Sequence, residues 1–322
     1  MIRTATLLAH AAFVLLVLAG VAWAGTALWL HLSGAIRLDA LVLLGLAALA
    51  ALWLRFFRSR RAGWAVLALG ALIVGGWYQT ITPMQDRDWA KDVERGVKAR
   101  VDGSRVTLSD LRDFDWRSEN DATERWIDRS VDLNDLQTVD MITSVWDNPD
   151  IAHLLVSFGF GAGEHVVFSV EIRREDGEEF NEIGGFFRQF ELVLIGATER
   201  DIVRLRTDYR KEKVRLYPLA LTPEQRRVMF LSYVELAQDL EARARFYNTL
   251  LANCTTVVYR LAQSLKPDLP LDWRLLLSGH LPGYLAELGV LDGRTAADGV
   301  PITPRTQRPA SGQGFSQQIR TP

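Results

Sequence analysis

Cys254 is the single cysteine in 322 residues, and it falls in the run Asn253-Cys254-Thr255-Thr256. The stretch 257–265 that follows predicts a helix, which places the thiol at or near a helix N-terminus. There the unpaired backbone N–H groups and the positive end of the helix dipole favour thiolate over thiol. A lone cysteine closes no disulfide within its own chain. Its chemistry is that of a nucleophile, set against the plainer role of a small buried apolar side chain.

A thiol that attacks acyl carbon needs an imidazole within reach and a group behind that imidazole to orient it. The chain has five histidines. His10 and His31 lie in an apolar N-terminal region and His280 in a late, loop-like stretch, which leaves His153 and His165. Residues 152–160 are mostly apolar. Residues 164–173 alternate, with Val166, Phe168, Val170 and Ile172 on one face and His165, Val167, Ser169, Glu171 and Arg173 on the other. The glycine-rich junction 159–163 makes the pair a β-hairpin. A turn centred near Gly161 sets His153 opposite Ser169, with Glu171 one diagonal step along. His165 then falls opposite Ser157, ~13 Å along the strand. The expected site is Cys254 as nucleophile and His153 as base, with Glu171 and Ser169 as candidates for the third member. The competing reading is a solvated polar face on which Arg173 pairs with Glu171. Two histidines and one cysteine at unrelated spacings match no zinc pattern, and no metal or cofactor is expected.

These residues must be held by elements. Strands are expected at 187–195 and 213–219, and a helix over 134–146. Thr222-Pro223-Glu224-Gln225 is a capped helix start, after which Phe230, Val234, Ala237 and Leu240 make a core-facing stripe. Residues 86–300 are long enough for one well-buried α+β domain. The stretch 301–322, rich in Pro, Gly, Ser, Gln and Thr, is expected to be disordered.

The first 85 residues form a separate region. No charged side chain occurs between Arg3 and Arg37, and 7–30 is long enough to cross a bilayer at ~20 residues per span. Two further spans are expected at 38–57 and 62–85. The first outlasts the ~7–15-residue apolar core of a signal peptide, so it is read as an uncleaved span. Arg55, Arg58, Arg60 and Arg61 cluster between the second and third spans, which assigns that loop and the N-terminus to the cytoplasm. The remainder then lies in the periplasm, anchored to a bacterial inner membrane. The net charge of −2 carries no polybasic signature for nucleic acid.

The stretch 146–174, with His153 and Ser169-Val170-Glu171-Ile172-Arg173, resembles the Lnb N-terminal periplasmic domain family. So do Phe246-Tyr247-Asn248-Thr249 and Asn253-Cys254-Thr255-Thr256, and the segment 191–217 with Asp201, Arg206 and Leu216-Tyr217-Pro218 is similar too. The resemblance covers 146–265. It implies a permuted papain-like (NlpC-type) fold in which the histidine precedes the cysteine, as in lecithin:retinol acyltransferase and its relatives, with Cys254 as nucleophile and His153 as base. It further implies transfer of a fatty acyl chain from a phospholipid to the N-terminus of a bacterial lipoprotein, with the bilayer as working surface. An envelope hydrolase of the same fold (amidase, peptidase or lipase) and a non-catalytic envelope scaffold are the alternatives. Unlike the family's namesake, this chain places its membrane spans before the periplasmic domain.

Overall fold

A computed structural model describes residues 2–291, 299–306 and 314–321, arranged in two compact units. The first unit comprises Met1–Pro83 and Asn181–Gln189. It contains helices α1 (Ile2–His31), α2 (Gly34–Trp53, extended to Arg58 by a π-helical turn) and α3 (Arg60–Gln79). Their mean hydropathies of 2.3, 2.2 and 1.3 make all three long and apolar enough to cross a membrane. The third ends at Gln79, six residues before the expected limit, where the chain meets polar residues. Gly63 is required by close packing: a Cβ there would lie 2.8 Å from Arg55 Cβ and 2.9 Å from the Ala51 carbonyl oxygen. The short helix α4 (Glu182–Phe186) also belongs to this unit, which His31 secures by a 2.6 Å hydrogen bond from its ring to the Phe187 carbonyl.

The second unit comprises Met84–Phe180 and Phe190–Pro322. Its strands are β1 (Lys98–Asp102), β2 (Arg105–Arg112), β3 (Asp115–Trp116), β4 (Ala122–Thr123), β5 (Trp126–Asp132), β6 (Leu136–Val145), β7 (His153–Phe160), β8 (His165–Arg173), β9 (Glu191–Ala197), β10 (Lys213–Pro218) and β11 (Val300–Pro301). The main sheet runs β1-β2-β9-β8-β7-β6-β10-β11, with β5 paired to β2 and with β3-β4 as a separate ribbon. Its pairings are antiparallel except for one parallel bridge between β2 and β9. Helices α5 (Glu199–Arg204), α6 (Pro223–Ala242), α7 (Cys254–Ala262), α8 (Leu281–Glu287), α9 (Thr303–Thr306) and α10 (Phe315–Arg320) complete it.

Alternation along the hairpin strands explains the layering. Phe158 and Phe168 point to one face, where they meet Phe230 and Tyr233 of α6 in an aromatic cluster. Leu155 and Val167 point to the other, toward Ile202 of α5 and toward Ile302 and Ile319. Both faces are thus covered, and α6 starts with the expected capping box of Thr222 and Gln225.

Two expectations are corrected here. Residues 134–146 form no helix beyond a single 3-10 turn, and β6 occupies Leu136–Val145 instead. Its apolar residues fall near helical spacing because the strand lies inside the sheet: Val139 is buried on one side and Ile142 on the other, which erases the alternation of a half-exposed strand. Nor are the described residues of 301–322 disordered. Ile302 and Ile319 are fully buried, and Arg320 of α10 pairs with Asp140 and Glu199 at 2.6 Å each. Residues 307–313 and 322 lie outside the described residues.

Candidate active site

Asn253 caps α7, so that Cys254 is the first residue of the helix. The Asn253 side chain accepts hydrogen bonds from the backbone N–H groups of Thr255 (2.9 Å) and Thr256 (2.8 Å), while Thr256 Oγ1 accepts from the Asn253 N–H. This leaves the N–H of Cys254 itself outside the cap.

The sheet opens where α7 meets it. β7 pairs with β8 only from Leu155 to Gly159, although β8 runs on to Arg173. Beyond that limit the Leu154 N–H and the His153 imidazole both lie near enough to the Cys254 sulfur to favour its thiolate. His153 Nε2 lies 2.7 Å from Ser169 Oγ and 3.1 Å from Glu171 Oε1. Ser169 Oγ donates in turn to Glu171 Oε1 at 2.6 Å. All four residues expected at the site are therefore together.

The register differs by two residues from the expected one. Ser169 faces Leu155 and not His153, and His165 faces Gly159 and not Ser157. Side chains alternate with a period of two, so a two-residue shift keeps every side chain on its predicted face. His165 stays peripheral, its Nδ1 3.1 Å from the Gly163 carbonyl. His280 pairs with Asp150 at 2.7 Å on the surface.

Arg206 is the site residue that the spacing argument missed. Its Nη2 donates to Glu171 at 2.9 Å and its Nη1 to Glu212 at 3.2 Å, and Glu212 accepts a short hydrogen bond from Ser144. The pairing joins residues 35 apart in sequence, so no local pattern announces it; the resemblance alone singled Arg206 out. Arg173, offered as a partner for Glu171, instead donates to the Val93 and Glu94 carbonyls and to Gln85.

The electrostatics follow from these contacts. Burial pushes the Cys254 thiol up, but the hydrogen bond and charge of His153 outweigh it and bring the thiol below its ordinary value. Burial and the Arg206 charge pull His153 down. The Glu171 carboxylate and Cys254 more than reverse this, and His153 is pushed up to about 9. Burial also raises Glu171, yet His153 and Arg206 hold its carboxyl well below the usual range. The arrangement keeps the imidazole protonated at neutral pH, backed by an ionised carboxylate, and favours the thiolate more than an ordinary thiol's surroundings do. Among the described residues no cluster of His, Cys, Asp or Glu has the geometry to hold a metal ion.

A thiol, an imidazole and a carboxylate are thus brought together by a helix start and an antiparallel sheet, the group types that a thiol nucleophile needs around it. The family model of the Lnb N-terminal periplasmic domain matches residues 122–279, so the chain carries that domain, and it is a membrane protein with a periplasmic domain. The match includes His153, Ser169, Glu171, Arg206 and Cys254. No curated protein and no solved structure matches the chain.

Proposed function

We propose that this protein is a membrane-anchored, cysteine-dependent acyltransferase that moves a fatty acyl chain from a phospholipid to the N-terminal amine of a bacterial lipoprotein. The observation that carries the reading is the Cys254 thiol at the first position of a capped helix, partnered by a His153 ring that Ser169 and Glu171 hold from behind. The thiolate attacks the carbonyl carbon of a phospholipid ester, and the free N–H of Cys254 supports the oxyanion. The C–O bond to glycerol breaks as the His153 imidazolium gives its proton to the departing lysophospholipid oxygen. The thioester then meets the α-amino group of the acceptor. Neutral His153 removes the amine proton, the C–N bond forms, and the C–S bond breaks to restore the thiolate. Glu171 stabilises the imidazolium, and Arg206 keeps Glu171 ionised. The fold reading that accompanies this chemistry is the permuted papain-like one. Spans on the same chain hold the thiol near the bilayer and raise the effective concentration of lipid. The four-arginine loop supports a cytoplasmic N-terminus.

The test uses purified full-length protein in detergent with phospholipid and a diacylated lipopeptide, read by mass spectrometry. Wild type is expected to add one acyl chain to the peptide, and Cys254→Ala and His153→Ala are expected to lose the gain by at least ~10³-fold. Free fatty acid released in place of acylated peptide would replace the transferase with a hydrolase. Absence of both products, with no adduct on Cys254 of folded protein, would overturn the enzymatic reading.

A further inference from the structure

An apolar cavity of about 280 Å³ adjoins the Cys254 centre. One wall is the face of α7 made by Thr255, Val258 and Ala262, spaced i, i+3 and i+7 from Thr255; Leu154, Met229 and Leu285 close other sides. Several polar groups of its lining are turned to other partners. Tyr259 donates to the Leu269 carbonyl at 2.6 Å and Tyr284 to the Pro270 carbonyl at 2.7 Å, while Gln225 is held in the cap of α6. What it offers a ligand is mostly hydrocarbon. Packed interiors rarely keep voids larger than one water, ~30 Å³. This one is several times that size.

Its position ties it to the thiol. The cavity starts one residue from each reacting group: Leu154 follows His153 and has its N–H near the sulfur, and Thr255 follows Cys254, its hydroxyl 3.9 Å from that sulfur. A group bonded to Sγ therefore has this largely apolar space close by. The space is large enough to take a run of methylenes and not just one small group. Leu275 lies at the edge of the cavity, and its neighbours Trp273 and Leu276 are more than half exposed, which continues the apolar surface outward.

We infer that this cavity is the acyl-chain site of the Cys254 centre. It takes the carbonyl-proximal part of a saturated chain, and longer chains leave it along the Trp273–Leu276 rim. The inference rests on the acyl-transfer reading for its link to the thiol, but the binding itself can be tested without any transfer.

The experiment places full-length Cys254→Ala protein in nanodiscs of phosphatidylethanolamine and phosphatidylglycerol, doped with a phosphatidylethanolamine carrying a diazirine at carbon 8 of one acyl chain. After irradiation, mass spectrometry of the peptides is expected to find label on 254–262, on Met229 or on 281–285. Label confined to 2–79 would overturn the site. A second arm incubates wild type and Ala262→Trp with p-nitrophenyl esters of four and ten carbons and reads the acyl mass on Cys254. The ten-to-four-carbon labelling ratio is expected to fall at least tenfold in the variant, and an equal ratio in folded protein would count against the cavity. If the diazirine labels the cavity walls while no ester acylates wild-type Cys254, the chain site stands and the thiol-transfer reading falls.

Discussion

The ionic state of one pair governs the chemistry at the residue scale. Cys254 lies below the ordinary thiol value and His153 is pushed up to about 9, so the pair titrates as a unit and not as two independent groups. The rate of Cys254 alkylation against pH is expected to rise with a midpoint below that of a free thiol, and Glu171→Gln to move that midpoint upward. An alkylation profile matching a free thiol would remove the ion pair. Stability follows with a defined sign. The raised His153 value contributes stability fully below about 6.5 and loses it as pH climbs through about 9. The depressed Glu171 value contributes above about 4.5 and loses it as pH falls through the lowered value. The stability gap between wild type and Glu171→Gln should therefore be widest between those limits, at about 3 kcal/mol, since Arg206 is left with one carboxylate instead of two. Urea titrations across that pH range measure it. Tyr233 makes a contrasting case: its hydroxyl is buried without a partner, and the residue is 1 % exposed. Tyr233→Phe is expected to leave the unfolding midpoint unchanged or raise it, because no hydrogen bond is lost.

At the scale of elements, the site depends on where pairing stops. The β7–β8 ladder ends at Leu155 and Ser169, and the first turn of α7 meets the released Leu154 N–H. Removing the cap with Asn253→Ala should cost about 1 kcal/mol and reduce thiol reactivity together, since the same side chain holds the start of α7. The approach to His153 is held from outside the sheet. Ser278 accepts from the Ala152 N–H at 2.8 Å, and a Cβ on Gly279 would fall 1.9 Å from the Pro149 carbonyl oxygen. Gly279→Ala is expected to cost about 1–3 kcal/mol and to displace His153, visible as a slower alkylation of Cys254 at pH 7. Much of this was legible in the sequence. Period-two alternation fixed the faces of the hairpin even though its register was off by two, and the Thr222 cap announced α6. What stayed hidden was set by distant contacts: Glu171 finds Arg206 only after α5 folds back, and β6 loses its alternation because both its faces are covered.

For the whole molecule, three apolar helices and a nine-stranded mixed domain share one chain. The pattern of charge and hydropathy identified the first, and the alternating strands much of the second. The C-terminal segment was misjudged because its composition is poor in apolar residues, while two isoleucines and one arginine are enough to seat it. Arg320→Ala would leave Asp140 and Glu199 buried without their cation, and chemical denaturation should show a loss of about 3 kcal/mol. A segment of no structural consequence would show none. Asp140 lies on β6 inside the sheet, and its partner is 180 residues downstream. During synthesis, the strand beside β7 is therefore exported with its carboxylate unpaired. It stays so until the chain through residue 320 has followed it across the membrane. Order of emergence thus makes β6 wait for residue 320 before its carboxylate is paired, and a chain stalled short of that point would present an incomplete fold to the envelope's proteases.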